Sequence, residues 1–492
     1  MTLLRKRGWL QLGRILGALL LAAFFYAFQK RVLKAHFGPD EMMNIYNVWS
    51  PPLWKVLLAN LAFWSKFVRP LSALYYLPLF HFFKLNPVPY SVVRIGILGV
   101  NTFLFYKLAR LIAGSWWVAV LASFVVAYQA HLGNIAFDGA FIYDALCGGF
   151  FFAALLYYIH ARRGRGHLSV AQACLFLALC VAALDSKEMA VSLSVMAFAW
   201  ELLMEQHPAG WRTREALRQW ARQLWPALAS GAVTGIYILG KTTGQGSLTH
   251  IDVYTPVLTW ARFSESTVRF MNTIFYAEGF TMQHAIALWA ILLIAGVVGV
   301  LRGGILKGRR NPRWLFLWIW VMVTPLPIAF LPGRGAALLY IVAAGWAIAA
   351  AMMLRSASWL LARHLFLGRA GRIATMLGCL LFCAWQYEDV TRREHRYDVY
   401  GYLLTGEMTM QWIHAIQQLG LQPKPKSNII FLNDPSPTTF DITFIAELLW
   451  RDHSLEIWQQ AQAHLTPERI AKMDYIIDCS GGDFKVVKSP AP

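Results

Sequence analysis

Long apolar runs alternate with short polar connections along most of the chain, up to about residue 387. A run of roughly 17–25 apolar residues is long enough to cross the hydrocarbon layer of a bilayer as a helix. Such runs predict eleven membrane-spanning helices, at about 15–29, 90–109, 116–132, 139–159, 168–184, 189–206, 223–240, 282–301, 314–331, 336–354 and 373–387. The fold class predicted from this pattern is an all-α polytopic membrane protein.

The composition supports this class and excludes others. Of 492 residues, 57% are hydrophobic and only 14% are charged, which is too little charge for a disordered chain or an ordinary soluble enzyme. The net charge of +19 would by itself suggest nucleic acid. About half of the 45 basic residues, however, lie in alternate short connections, as they do in cytoplasmic loops of membrane proteins. The positions of the basic residues therefore indicate which connections are cytoplasmic, and no nucleic-acid partner is predicted.

The basic residues also predict the orientation. They place the N-terminus in the cytoplasm, and an odd number of spans then places the C-terminus outside. The run Leu71–Phe83 is too short for a comfortable span, and we interpret it as interfacial or re-entrant. Counting it as a span would reverse the orientation of every later connection and place the later arginine clusters on the outer side of the membrane. The predicted location is the bacterial plasma membrane, although the endoplasmic reticulum would give the same topology.

The last part of the chain differs in character from the rest. Residues 388–492 are more polar and contain several prolines, which predicts a small extracytoplasmic α/β domain after a transmembrane domain over 1–387. Within it, Asn428–Leu432 and Asp474–Asp478 are typical of buried strands. Residues 401–420, 441–450 and 454–463 are predicted to be helices.

Two outer connections, at about 30–89 and 241–281, are far longer than a simple hairpin requires. Long ordered loops tend to carry function. The first contains adjacent carboxylates, Asp40 and Glu41, directly after Pro39. These carboxylates are either charges at a helix N-terminus, which Pro39 would begin, or a reactive pair at the membrane surface.

Several elements in order resemble the GT-C superfamily of integral-membrane glycosyltransferases, and most of all its protein O-mannosyltransferase-type members, including the tetratricopeptide-linked group. One span precedes a long outer loop with an early acidic pair. The other elements are Arg69-Pro70-Leu71, Leu85-Asn86-Pro87-Val88-Pro89-Tyr90, Asp185-Ser186-Lys187-Glu188, and Pro332-Gly333-Arg334-Gly335 followed by Tyr340. The likeness covers roughly residues 10–350.

The resemblance implies a membrane-embedded enzyme that moves a sugar from a polyprenyl-phosphate carrier to an acceptor hydroxyl on a protein, a lipid or an envelope glycan. Such transfer occurs on the outer face, usually with inversion at the anomeric carbon. It implies Asp40 as the general base, with Glu41 as the alternative base or as a helper. No cofactor is implied outright, but a divalent cation, Mg²⁺ or Mn²⁺, held by Asp40 and Glu41 stays open.

The resemblance also implies a phosphate site formed by Arg334, Lys187 and Tyr340. Arg334 lies between two glycines in a short outer turn, where backbone N–H groups can also approach an anion. The alternatives are an interfacial anchor for Arg334 and, for Lys187, a simple ion pair with Glu188 or Asp185.

Further polar residues near the outer ends of the spans are candidates for acceptor contact or an auxiliary role: Asp144, Asp138, Glu188 and His131. Asp144 lies deeper in its span than Asp138, and an ionisable group at that depth is a functional candidate. A hydrogen bond from Asp144 to Asn134, His131 or Tyr143 is the structural alternative.

Two other function classes fit a polytopic chain. A flippase or other transporter should have broken helices and polar residues near the midplane, whereas the charges here cluster at outer ends. A lipid-linked glycan ligase or polymerase would depend on outer arginines rather than on an early carboxylate pair.

Overall fold

The computed structural model describes residues 2–61, 69–205, 213–243, 254–304, 311–334, 336–364, 369–394, 399–434, 441–460, 465–480 and 484–489. Most of them are helical. The helices are α1 Thr2–Gln29, α2 Pro39–Trp49, α3 Leu53–Leu61, α4 Ala73–Phe83, α5 Pro87–Ala113, α6 Trp116–Ala127, α7 Asn134–Phe137, α8 Ile142–Arg165, α9 Val170–Ser186, α10 Ser192–Met204, α11 Arg214–Thr243, α12 Trp260–Phe275, α13 Met282–Gly304, α14 Arg313–Val323, α15 Leu326–Ala329, α16 Tyr340–His364, α17 Arg369–Glu394, α18 Val399–Gln418, α19 Asp441–Trp450 and α20 Pro467–Ala471.

Helices cover every region where a span is predicted, but they differ in length and polarity. Among the described residues, five helical segments are long and apolar enough to cross a membrane: Gln11–Lys34, Pro87–Ala113, Gly139–Gly164, Met282–Leu301 and Ala336–Ser358. Shorter apolar helices occur at Trp116–Ala127, Val170–Ser186 and Arg313–Ala329. These segments fit an integral membrane protein, while the count of eleven spans stays a prediction.

The central helices pack closely because small residues and polar side chains meet between them. In α5, the Asn101 side-chain amide donates to the Ala145 carbonyl of α8 at 2.7 Å. A Cβ on Gly149 would lie 2.4 Å from the Asn101 side-chain oxygen, so α5 and α8 can approach this closely only because Gly149 has no side chain. α5 begins at Pro87, with the Asn86 side chain accepting from the Val88 N–H, and it ends at a left-handed Gly114.

The described residues of the long connection predicted at 30–89 include α2, α3 and α4. α4 has 11 residues and therefore extends only about 16 Å, which is half of a bilayer core. One side of α4 is buried, at Tyr75, Tyr76 and Phe80, whereas Leu74 and Phe82 are exposed. This arrangement is compatible with the predicted interfacial position of Leu71–Phe83.

The C-terminal part contains a four-stranded sheet in the order β2-β1-β3-β4, with β1 Asn428–Leu432, β2 Glu456–Gln459, β3 Tyr475–Asp478 and β4 Lys485–Lys488. β1 pairs in parallel with β2 and β3, and β4 is antiparallel. Strands occur where Asn428–Leu432 and Asp474–Asp478 were predicted, and helices lie over 401–418 and 441–450. The predicted helix at 454–463 is wrong, because 456–459 pairs with β1 as an edge strand.

The sheet unit contacts α2 through aromatic side chains. Tyr46 of α2 packs on Phe444 of α19 with ring centroids 5.3 Å apart. The ring of Trp49 lies 3.9 Å from that of His453. The C-terminal unit therefore supports α2, which carries the acidic pair.

Candidate active site

A cavity of about 490 Å³ opens where α2, α8, α11 and the segments after α9 and α15 meet. This volume is in the range of small-molecule sites. Its charged lining residues come from five separate parts of the chain: Asp40, Arg69, Lys187, Glu188, Lys241 and Arg334. Four of the predicted site residues, Asp40, Lys187, Glu188 and Arg334, therefore meet at one cavity.

The two carboxylates of the acidic pair point in different directions. Pro39 is the first residue of α2, so Asp40 and Glu41 both lie in its first turn. Neighbouring residues on a helix are about 100° apart and do not face the same side. Asp40 is exposed and lines the cavity. Glu41 is only 1% exposed and does not line the cavity.

Glu41 lies in a buried cluster that joins the start of α2 to the start of α8. Its carboxylate is 3.8 Å from the guanidinium of Arg94, which is equally buried. A Cβ on Gly139 would overlap the Glu41 carboxylate, and a Cβ on Gly38 would lie 3.0 Å from the Asp138 carboxylate. Because these two glycines have no side chain, the carboxylate of Glu41 can approach the backbone at Gly139, and that of Asp138 can approach the backbone at Gly38.

Burial affects the protonation of both acids in this cluster. It raises the pKa of Glu41 to about 7, although Arg94 opposes the shift. Burial also raises the pKa of Asp138 to about 6, opposed by the Ala140 N–H, which donates to its carboxylate at 2.9 Å. Both groups change charge near neutral pH, but neither lines the cavity in which Asp40 lies.

Lys187 forms a buried ion pair with Asp144 at the cavity wall. The Lys187 ammonium is 3.0 Å from the Asp144 carboxylate, and both side chains are buried. The structural alternatives from the sequence were an ion pair of Lys187 with Glu188 or Asp185 and a hydrogen bond of Asp144 with a neighbouring polar residue. The structure instead pairs Lys187 with Asp144. α8 and the segment after α9 are held together by this pair.

Arg69 and Glu188 form a second ion pair at the cavity. The Arg69 guanidinium lies 3.4 Å from both Glu188 carboxylate oxygens and 5.2 Å from the centre of the Tyr143 ring. Burial alone would raise the pKa of Glu188, but Arg69 and Lys187 hold it below its ordinary value. Glu188 is therefore charged at neutral pH and is engaged by Arg69.

Arg334 stacks on an aromatic ring. Its guanidinium carbon lies 4.0 Å from the centre of the Tyr254 ring, and both residues line the cavity. Stacking fixes the plane of the guanidinium, and the planar fork of guanidinium N–H groups suits an anion such as phosphate. On another wall, the Lys241 ammonium lies 5.7 Å from the Tyr237 ring.

The cavity lining is amphipathic. Four basic and two acidic side chains line it, so the lining has a net positive charge and suits an anionic group. The rest of the wall includes apolar residues, among them Val191, Ile238, Ile328, Leu331 and Leu338. An amphipathic molecule with an anionic head and an apolar tail would fit such a lining.

Two predicted site residues lie elsewhere. The Tyr340 hydroxyl is buried and donates to the Val126 carbonyl at 3.3 Å, so it does not reach the cavity as the predicted phosphate ligand. His131 lies in a separate depression, with its Nδ1 2.8 Å from the Thr273 carbonyl and its ring on Tyr276. Asp138 and Asp144 border the cavity wall without lining it.

The predicted metal ligands do not form one site. Asp40 and Glu41 diverge, and the Glu41 carboxylate faces Arg94 instead of a second carboxylate. In the part of the chain that the structure describes, no group of three or more His, Cys, Asp or Glu residues could hold a metal ion. The divergence of the pair means that it does not fit a shared ion.

Arg69, Lys241 and Tyr254 are among the cavity residues that sequence reasoning missed. Arg69 was noted only as part of a motif, although a cation directly before a short apolar run was a usable signal. Lys241 lies directly after an apolar run, which was a similar signal. Tyr254 has no local signal, because only the fold brings it under Arg334.

No protein-family model and no curated protein matches the chain. Solved structures of the Archaeoglobus fulgidus oligosaccharyltransferase are partly similar in backbone. One is the archaeal enzyme AglB with an inhibitory peptide and a dolichol-phosphate, at 12% identity and a TM-score of 0.47, covering 94% of this chain and 69% of that one. The apo form covers 91% and 65% at 12% identity and a TM-score of 0.45. A form tethered to an acceptor peptide covers 89% and 63% at 13% identity and a TM-score of 0.43. None of these three is an O-mannosyltransferase, and values at this level do not identify a reaction.

Proposed function

We propose that the protein is a membrane-embedded glycosyltransferase that takes a sugar from a polyprenyl-phosphate carrier. The observation that carries this proposal is the cavity shared by the exposed carboxylate of Asp40 and the stacked guanidinium of Arg334. A base and an anion site in one amphipathic cavity are what transfer from a lipid phosphate requires.

The proposed reaction is a single displacement at the anomeric carbon. The acceptor hydroxyl oxygen forms the new bond to that carbon, and its proton passes to the Asp40 carboxylate. The bond from the anomeric carbon to the carrier phosphate breaks, and its electron pair leaves with the phosphate oxygen. One such step inverts the configuration, in keeping with the inverting outcome expected from the sequence.

The departing phosphate gains negative charge, and the basic side chains stabilise it. Arg334 is held by Tyr254, and Arg69 by Glu188, so both guanidinium groups are pre-oriented before the donor binds. Lys187 is held by Asp144 and contributes positive charge from the wall. The apolar lining residues would contact the first isoprene units of the carrier.

The remaining features of the proposal follow the sequence. The catalytic unit is assigned to 1–387 with eleven spans, the cavity to the outer face, and the C-terminal unit over 388–492 to the same side. The acceptor is a hydroxyl of a protein, a lipid or an envelope glycan, and the O-mannosyltransferase-type enzymes are the nearest family expectation. The bacterial plasma membrane is the proposed location.

The test is transfer by an Asp40→Asn variant. Mass spectrometry of co-purified lipid and a panel of carrier-linked sugars would first identify the donor. We then expect Asp40→Asn to lose about 10²- to 10⁴-fold in turnover with donor affinity retained, because only proton removal is lost. Glu468→Gln, the same chemical change at an exposed position of α20, is the matched control. Near-normal turnover in Asp40→Asn, with loss on Arg334→Ala alone, would contradict the proposal and favour a ligase.

A further inference from the structure

A second cavity, of about 470 Å³, lies at the opposite ends of the helices that form the candidate active site. It is lined by the turn after α8 and by the first turns of α11: Gly166, His167, Glu215, Arg218, Gln219, Arg222 and Gln223. None of these residues lines the first cavity.

The distance between the two cavities matches the thickness of a bilayer. α8 runs from Tyr143 at the first cavity to Gly166 at the second, which is about 34 Å at 1.5 Å per residue. α11 runs from Arg218 to Lys241, which gives about the same length. A hydrocarbon core is about 30 Å thick, so the two cavities are far enough apart to lie at opposite faces of a membrane.

The lining of the second cavity is basic and ordered along one helix face. Arg214, Arg218 and Arg222 are spaced four residues apart, which places them in one stripe on α11. Arg218 and Arg222 line the cavity, whereas Arg214 does not. Among the described residues, no carboxylate lies within 4.0 Å of these guanidinium groups, although Glu215 also lines the cavity.

The turn at Gly166, which also lines this cavity, is held in place by a buried network. The Arg162 guanidinium lies 2.7 Å from the Glu201 carboxylate, and Arg162 also donates to the Gly166 carbonyl. The Tyr158 hydroxyl donates to Glu201 at 2.9 Å. The turn at Gly166, with its left-handed backbone, is therefore fixed against α10.

Apolar side chains are exposed beside the basic ones. Val170, the first residue of α9, is 73% exposed, and Leu228, six residues after Arg222 on α11, is 56% exposed. Guanidinium groups above exposed aliphatic side chains, at the level where helices enter the bilayer, form a boundary between a charged headgroup and acyl chains.

We propose that this cavity binds the headgroup of an anionic glycerophospholipid from the leaflet opposite the active site. Arg218 and Arg222 would donate to the lipid phosphate, and Val170 and Leu228 would contact the acyl chains. The proposal is independent of the glycosyltransferase assignment, since it uses none of the residues of the first cavity.

The experiment is native mass spectrometry of the full-length protein titrated with phosphatidylglycerol or phosphatidylcholine. We expect tighter binding of phosphatidylglycerol, and a loss of about fivefold in affinity for each of Arg218→Gln and Arg222→Gln. Arg214→Gln removes the same charge from the same stripe outside the cavity and should stay within about twofold of the wild type. Glu215→Gln should tighten binding, which a folding defect would not mimic.

Three results would overturn the proposal. Equal losses in all three arginine variants would mean diffuse attraction instead of a site. Equal binding of phosphatidylcholine would remove the role of headgroup charge. Binding of glycerol 3-phosphate as tight as that of the lipid would identify a soluble phosphate ligand.

Discussion

The ion pair between Lys187 and Asp144 gives a prediction about stability and function together. The two charges are 3.0 Å apart and both are buried. Removing one partner of such a pair leaves an uncompensated buried charge, which costs about 3–5 kcal/mol. We therefore expect Asp144→Asn and Lys187→Met each to lower the free energy of unfolding by about that amount.

The double variant separates the pair from its surroundings. Asp144→Asn combined with Lys187→Met leaves no unpaired charge, so the double variant should lose less stability than either single variant, which corresponds to a coupling energy above about 3 kcal/mol. The assay is denaturant unfolding in lipid bicelles, extrapolated to zero denaturant. Losses that simply add in the double variant would refute the pairing.

Donor binding tests whether Lys187 also contacts the phosphate. If it does, the double variant should regain stability but keep a donor affinity about tenfold below the wild type, as Lys187→Met alone does. Full recovery of donor affinity in the double variant would assign Lys187 a purely structural role.

Two further predictions concern other contacts. Tyr254→Ala should weaken donor binding by roughly 2- to 30-fold, because the ring that holds Arg334 is lost. Tyr254→Phe keeps the ring and should bind as the wild type does, so an equal loss in both variants, measured by donor titration, would contradict stacking. The raised pKa of Glu41 predicts that its contribution to stability is present at low pH and is lost as the pH rises from about 4.5 to about 7. Glu41→Gln should flatten that part of the pH profile of the unfolding midpoint, and an unchanged profile would argue against a buried, protonated carboxyl.

Much of the helical framework could be predicted from the chain, because a long apolar run has few ways to satisfy its backbone in lipid except as a helix. The strand at Glu456–Gln459 could not, since its pairing with β1 joins residues far apart in sequence. The alternation of apolar and polar residues in this strand is too short to outweigh a helical interpretation.

The candidate site was predictable in part for the same reason. The resemblance of their motifs to GT-C enzymes implied roles for Asp40 and Arg334, and the structure brings both residues to one cavity. The division of the acidic pair followed from the start of α2 at Pro39, which fixes the direction of each side chain. The partner of Lys187 was not predictable, because Asp144 reaches it only through the packing of α8 against the end of α9.

The central claim is that Asp40 and Arg334 act on one lipid-borne donor in one cavity. The most direct test is a structure of the protein with its polyprenyl-phosphate sugar, determined in the Asp40→Asn form so that the donor stays intact. We expect the carrier phosphate within hydrogen-bond distance of Arg334 and the anomeric carbon on the side of residue 40. A donor bound outside this cavity, or with its phosphate remote from Arg334, would contradict the claim.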